Sequence, residues 1–156
     1  MTRASPEENL RSLGLELPHA PAPVGSYVPA VRTGNLLFVS GQLPMRGGQL
    51  LARGHVGRDV SLETAEECAG QAALNALAIV KAEVGDLARI KRIVRLTGHV
   101  ASAPGFTDQP KVLNAASDLL VQVFGEAGRH SRAAVGAAEL PLGAPVELEM
   151  IVEVRT

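Results

Sequence analysis

Apolar and polar positions recur with clear periods along most of this chain, and the periods change at glycine and proline. Residues 146–154 alternate most plainly, with Val146, Leu148, Met150, Val152 and Val154 set against Glu147, Glu149 and Glu153. A period of two predicts a strand with one buried face. Residues 90–101 read the same way, with Val94, Leu96, Gly98 and Val100 opposed to Arg95, Thr97 and His99. Over residues 61–84 the period lengthens. Ala65, Ala69, Ala72, Ala76 and Val80 recur every three or four residues, which predicts a helix whose small-residue face can lie close to a sheet. Ser61 is placed to cap it and Gly85 to stop it. A second helix opens at Asp108 and Pro110, carries Val112, Ala116, Leu119, Leu120 and Val123 on one face, and ends at Gly125.

The remaining segments are shorter. Residues 27–31 and 36–40 predict two strands joined by Arg32-Thr33-Gly34-Asn35, a hairpin signal. Pro29 places the first of them at an edge or an irregular position. Residues 41–60 hold five glycines and predict a long loop with a short ribbon near Gly47-Gly48. Residues 132–140 form a strand of small residues, followed by a stiff Pro-Leu-Gly-Ala-Pro connection. At the start, Ser5-Pro6-Glu7-Glu8 predicts a short capped helix with Leu10 and Leu13 on its apolar face and Gly14 at its end. An extended lead-in with Pro18, Pro21 and Pro23 follows. The economical arrangement is one sheet with two helices on one face. If Val39, Ala134 and Ile151 lie on the other face, that face is not fully wet, and association through it is expected.

Length and composition narrow the classes. A chain of 156 residues suits one domain with a substantial core, and 46% hydrophobic against 20% charged residues excludes disorder. A formal net charge of -1 and only four aromatic residues, Tyr27, Phe38, Phe106 and Phe124, argue against nucleic acid as partner. No stretch has the roughly 20 apolar residues of a membrane span, so no membrane partner is expected. The first residues lack the apolar run of a secretory signal. The single cysteine, Cys68, suits a reducing compartment, so the cytoplasm is the expected location. Cys68 lies among alanines and reads as a small core residue rather than a nucleophile.

The motifs of common chemistries are missing: there is no phosphate-binding loop, dinucleotide fingerprint, HExxH, CxxC or GxSxG. The four histidines, His19, His55, His99 and His130, lack metal-ligand spacing. What remains is a set of polar residues at element ends: Tyr27, Ser40-Gly41-Gln42, Asn114, Arg132 and Glu147. Taken singly, each has a plain structural explanation.

Taken together they do not. The runs VGSYVPAVRTGNLLFVSGQLP, FTDQPKVLNAASDLL and RHSRAAVGAAELPLGAPVELEMIVEV closely resemble the RidA family, also called YjgF/YER057c/UK114, over about residues 20–154. The resemblance implies a chorismate-mutase-like α+β fold with a mixed sheet. Residues 25–156 would form that domain, with 1–24 as an N-terminal extension. It further implies a homotrimer with sites between subunits. The implied activity is hydrolytic deamination of reactive enamines and imines such as those from 2-aminoacrylate, with no metal or organic cofactor. By the match, Arg132 falls on the arginine that binds the substrate carboxylate, and Glu147 on the glutamate that holds the attacking water. Tyr27, Ser40 and Asn114 fall on pocket-lining positions. Ala134 stands where the family often has cysteine. It can still offer its backbone N–H, and its small side chain enlarges the pocket. Gly136 stands where the family often has glutamate. These departures and the extension mark a longer subgroup. A non-catalytic binder of small carboxylates is the competing expectation, and RNA cleavage, a label some relatives carry, is disfavoured by the charge balance.

One geometric condition comes with this reading. A simple hairpin of the last two strands would set Arg132 and Glu147 roughly 20 Å apart at ~3.3 Å per residue. Either another strand lies between them or neighbouring chains contribute. Pro141 and Pro145 argue against a tight hairpin and favour the first.

Overall fold

The computed structural model describes residues 3–156. A five-stranded sheet carries the fold, built from β1 (Ala30–Thr33), β2 (Leu36–Gln42), β5 (Ile90–Ala101), β6 (Ser131–Ala137) and β7 (Val146–Val154) in the order β1-β2-β7-β5-β6. β3 (Met45–Arg46) and β4 (Gln49–Leu50) form the small ribbon at Gly47-Gly48. β5 and β6 run parallel, and every other pairing in the sheet is antiparallel. β7 therefore enters the middle of the sheet, between β2 and β5. β5 lies between β6 and β7, so the strand that the spacing of Arg132 and Glu147 called for is present.

Two helices cover one face. Ser61 caps α2 (Leu62–Val84) by accepting the Thr64 N–H, and Gly85 ends it at φ 90°. Ala65, Ala69, Ala72, Ala73 and Ala76 are fully buried on α2. Small side chains let the helix axis approach the sheet and α3 closely. α3 (Gln109–Phe124) begins at Asp108, whose side chain makes no capping bond. The short α1 (Pro6–Ser12) carries a complete capping box between Ser5 and Glu8. Leu10 of α1 joins the common core, whereas Leu13 is exposed. Asn9 Nδ2 donates to the Val123 carbonyl, and Glu7 accepts the Leu87 N–H, so the helix is docked against the end of α3. No helix among the described residues is long and apolar enough to cross a membrane.

Several local expectations change. The first strand starts at Ala30 rather than at residue 27, because the chain at Val28 and Pro29 is occupied with Ser40: the Ser40 hydroxyl donates to the Val28 carbonyl and its N–H to that of Pro29. The alternation in β5 slips at a bulge between Ile93 and Arg95, so Ile93, not Val94, is buried. β6 stops at Ala137, three residues short of the expected end. Val39 pairs with the buried Met150 and is itself buried on the helix side, and Ala134 pairs with Gly98 on that same side. Of the three residues expected on the far face, only Ile151 lies there. That face still carries an apolar row beside the charged residues of β5 and β7, because Val31, Phe38 and Ile151 stand in register across β1, β2 and β7 while Glu147, Glu149 and Glu153 share the face, and Val31 and Phe38 are exposed.

Gly98 marks the tightest contact between sheet and helices. A Cβ there would fall 2.3 Å from Leu113 Cδ1 and 2.4 Å from its Cγ. Gly98→Ala is expected to lower stability by about 1–3 kcal/mol through overpacking, read as a drop in the midpoint of urea unfolding.

Candidate functional site

Pairing parity decides where the expected site residues sit. Arg132 is level with Leu96, which is fully buried under the helices. Residues directly opposite in a ladder share a face, so Arg132 points to the helix side at the β6 edge. Asn114 and Ser117, one turn apart on α3, meet it there. Arg132 Nη1 donates to Asn114 Oδ1 at 2.9 Å and to Ser117 Oγ at 3.1 Å. His130 stands behind Ser117, with Nε2 at 2.9 Å from Ser117 Oγ and Nδ1 at 2.6 Å from the Gly128 carbonyl. A carbonyl can only accept, so Nδ1 carries a proton, and Nε2 shares the next hydrogen bond with the Ser117 hydroxyl. Ser117 Oγ is then left to receive the guanidinium. Both bonds of Arg132 use Nη1, and among the described residues no carboxylate lies within ion-pair distance of it. Nε and Nη2 remain as the parallel donors that fit a carboxylate. Ala134 follows two residues along the same side of β6.

Glu147 is level with His99, on the opposite face of the sheet from Arg132. It opens into a cavity of about 720 Å³ also lined by Tyr27, Gly41, Gln42, Leu43 and Asn75, with residues 18–24 forming one wall. The β2 bulge between Val39 and Gln42 brings Gly41 beneath the carboxylate. A Cβ on Gly41 would lie 3.0 Å from Glu147 Oε2, so the glycine lets the side chain lie across the strand. Burial pushes the Glu147 carboxyl above the ordinary glutamate value, Glu149 adds to the rise, and His99 opposes it. No hydrogen bond or ion pair to Glu147 is formed among the described residues, so its carboxyl oxygens are left to solvent and to whatever enters the cavity.

The expected residues thus form two groups. Arg132, Asn114 and Ala134 gather on the helix side of β6, while Tyr27 and Glu147 share the cavity. Ser40 lies beside the cavity without lining it, its hydroxyl engaged by Val28. Tyr27 is half-exposed and its hydroxyl accepts the Val24 N–H at 3.2 Å. The intervening β5 does not unite the groups. Three residues along and two strands across put the Cα atoms of Arg132 and Glu147 about 14 Å apart, on opposite faces. Gly136, where the family often has glutamate, is crowded by Gln109 and Ser102, whose mutual hydrogen bond occupies the space a larger side chain would need.

Sequence reasoning passed over Ser117, His130 and Asn75. The first was legible as a polar partner three residues after Asn114 on one helix face. Asn75 is fully buried and donates to the Leu43 and Met45 carbonyls at 3.0 Å each, and Gln71 and Arg46 extend the network. It pins the cavity floor to α2. Cys68 is buried and its thiol is pushed up to about 11 by burial, which makes it a poor nucleophile. Among the described residues no three His, Cys, Asp or Glu are grouped to hold a metal.

A mixed sheet with two crossover helices, a basic anchor without an acid and a half-buried glutamate define an α+β protein of the chorismate-mutase-like class. A family model described as "YjgF/chorismate_mutase-like, putative endoribonuclease" matches residues 7–154, and the chain belongs to this YjgF/RidA family. It is 45% identical over 148 residues to Protein TCP17 of Trypanosoma cruzi, covering 94% of this chain and 92% of that one. It is 31% identical over 144 residues to a 2-iminobutanoate/2-iminopropanoate deaminase of Dermatophagoides farinae, covering 90% and 95%. Among solved structures, the protein Atu1372 of Agrobacterium tumefaciens superimposes with a TM-score of 0.90 at 49% identity, covering 97% of this chain and 92% of that one.

The raised Glu147 has a consequence for stability. The folded chain binds this proton more tightly than the unfolded chain, so the associated stability is present below the unfolded glutamate pKa of about 4.3 and is lost as pH rises through the raised value. Glu147→Gln, which cannot ionise, is expected to raise the melting temperature at neutral pH. The gain should vanish near pH 4, as calorimetry across that range will show.

Proposed function

We propose that the protein hydrolyses reactive 2-imino acids and their enamine tautomers to keto acid and ammonia, at a site assembled from two copies of the chain. The observation that carries this is the pairing of two unmatched charges. Arg132 has one guanidinium edge, Nε and Nη2, without an acid, Glu147 is a carboxylate without a donor, and the two lie on opposite faces of one sheet. A neighbouring copy can supply the missing half of each. The apolar row Val31-Phe38-Ile151 supports association, and a homotrimer is the closed assembly we propose for it. The relative named as an iminobutanoate deaminase supports the reaction class.

In this reading Arg132 holds the substrate carboxylate bidentately, and Asn114 and Ser117 fix its orientation. Glu147 takes a proton from water as the oxygen adds to the carbon of the protonated imine, giving a neutral carbinolamine. Glu147 then passes that proton to the carbinolamine nitrogen, the C–N bond breaks to release ammonia, and the hydroxyl proton returns to the Glu147 carboxylate as the keto acid forms. A glutamate raised toward neutrality suits both proton transfers. No metal or organic cofactor enters this scheme. The ligands are small imino or keto acids rather than nucleic acid or membrane, and the lone buried cysteine suits the cytoplasm.

Four measurements test this. Light scattering should report a trimer; a monomer at assay concentration overturns the shared site. With imines generated in situ, Arg132→Ala should lose about 10–100-fold in kcat/KM, the worth of a charged hydrogen-bond pair, and Glu147→Gln about 10²–10⁴-fold. The acid limb of the wild-type profile should lie above pH ~4.3 and disappear in Glu147→Gln. Co-expressing the two impaired variants should restore activity in about a quarter of all sites, because a randomly mixed interface can pair the two intact halves. If the wild type accelerates no imine yet binds keto acids through Arg132, a non-catalytic binder replaces this reading.

A further inference from the structure

We propose that the cavity beside Glu147 is a subsite for a bulky apolar substituent, so that the preferred substrates are 2-imino acids with branched aliphatic or aromatic side chains. This deepens the hydrolase reading and rests on it. The first ground is size. A volume of about 720 Å³ lies in the range of roughly 300–1,000 Å³ that accommodates drug-sized ligands, far more than the smallest imino acids fill.

The second ground is the chemistry of the walls. Leu43, Met45, Pro29 and Pro141 line the cavity on the domain side, and Pro18, Pro21 and Val24 on the extension side. The amide side chains that reach it are already engaged. Gln42 Nε2 donates to the Ser40 and Gly41 carbonyls. Asn75 Nδ2 donates to Leu43 and Met45, and its Oδ1 accepts from Gln71. The Tyr27 hydroxyl accepts from Val24. An entering group therefore meets mainly apolar surface, with the Glu147 carboxylate, the His19 ring and the Gln42 carbonyl oxygen as its polar neighbours, which favours an apolar side chain joined to the carbon that Glu147 helps water attack.

The third ground is how the wall is held. The extension is anchored at α1 on one side, and on the other the chain is tied to β2 where Ser40 donates to the Val28 and Pro29 carbonyls. Pro18, Pro21 and Pro23 between these anchors fix φ and stiffen the segment. The wall is in place before ligand arrives, which lowers the ordering cost of binding.

The test compares imines generated by an amino-acid oxidase from L-alanine, L-leucine and L-phenylalanine, all with the full-length chain. The leucine- and phenylalanine-derived imines should give kcat/KM at least about 10-fold above the alanine-derived imine, the scale on which a hydrophobic pocket discriminates. Ala22→Trp and Met45→Trp, each checked for an unchanged circular dichroism spectrum, should bring that ratio toward one. A wild-type ratio at or below one, or a ratio that neither substitution moves, overturns the subsite while leaving the hydrolase reading intact. If no imine is accelerated, the hydrolase reading has failed, and calorimetric titration with 4-methyl-2-oxopentanoate against pyruvate decides the subsite. A preference of about 10-fold for the larger acid that Ala22→Trp abolishes supports it, and equal or absent binding overturns it.

Discussion

A strand turns successive side chains to opposite faces of its sheet, and ladder pairing transmits that alternation to every neighbour. Most of what this protein can do depends on that constraint. Leu96 carries Arg132 to the helix side and His99 carries Glu147 to the open side. The two are three positions apart along β5, an odd number, and no bulge intervenes between Leu96 and His99 to restore the parity. The chain that holds Arg132 in one place therefore holds Glu147 in another. A site that needs both has to be completed from outside a single copy.

Each half is kept ready by its own surroundings. Asn114 and Ser117 engage one guanidinium nitrogen and leave the rest of the fork directed outward. Gly41 leaves room for the Glu147 carboxylate, and partial burial makes that carboxylate easier to protonate. Burying an ionisable group without a partner opposes folding at neutral pH, and the rest of the sheet has the apolar area to offset it. The buried Asn75 network does the comparable work for the cavity floor, because the loop carbonyls it satisfies would otherwise be costly to enclose.

The N-terminal extension fits the same scheme. Leu10 enters the common core, and the segment beyond α1 crosses to the far side of the domain, where it walls the Glu147 cavity. Local capping chemistry forms its helix, while prolines prevent the following stretch from joining any ladder. Freed from the sheet, that stretch can define a cavity.

Where a segment's fate depended on its own residues, the sequence was sufficient. The period of β7, the alanine face of α2, the Ser61 cap and the hairpin at Gly34 are set by local sterics and by which side of an element is apolar. The residues at element ends pointed to the family and to Arg132, Asn114, Tyr27 and Glu147 as a group. What local pattern could not settle was register. The slip at Ile93–Arg95, the burial of Val39, the division of the site between two faces and the reach of residues 18–24 over Glu147 all follow from which strand lies beside which. Strand order results from contacts between residues far apart in the chain, and only the assembled sheet brings those residues together.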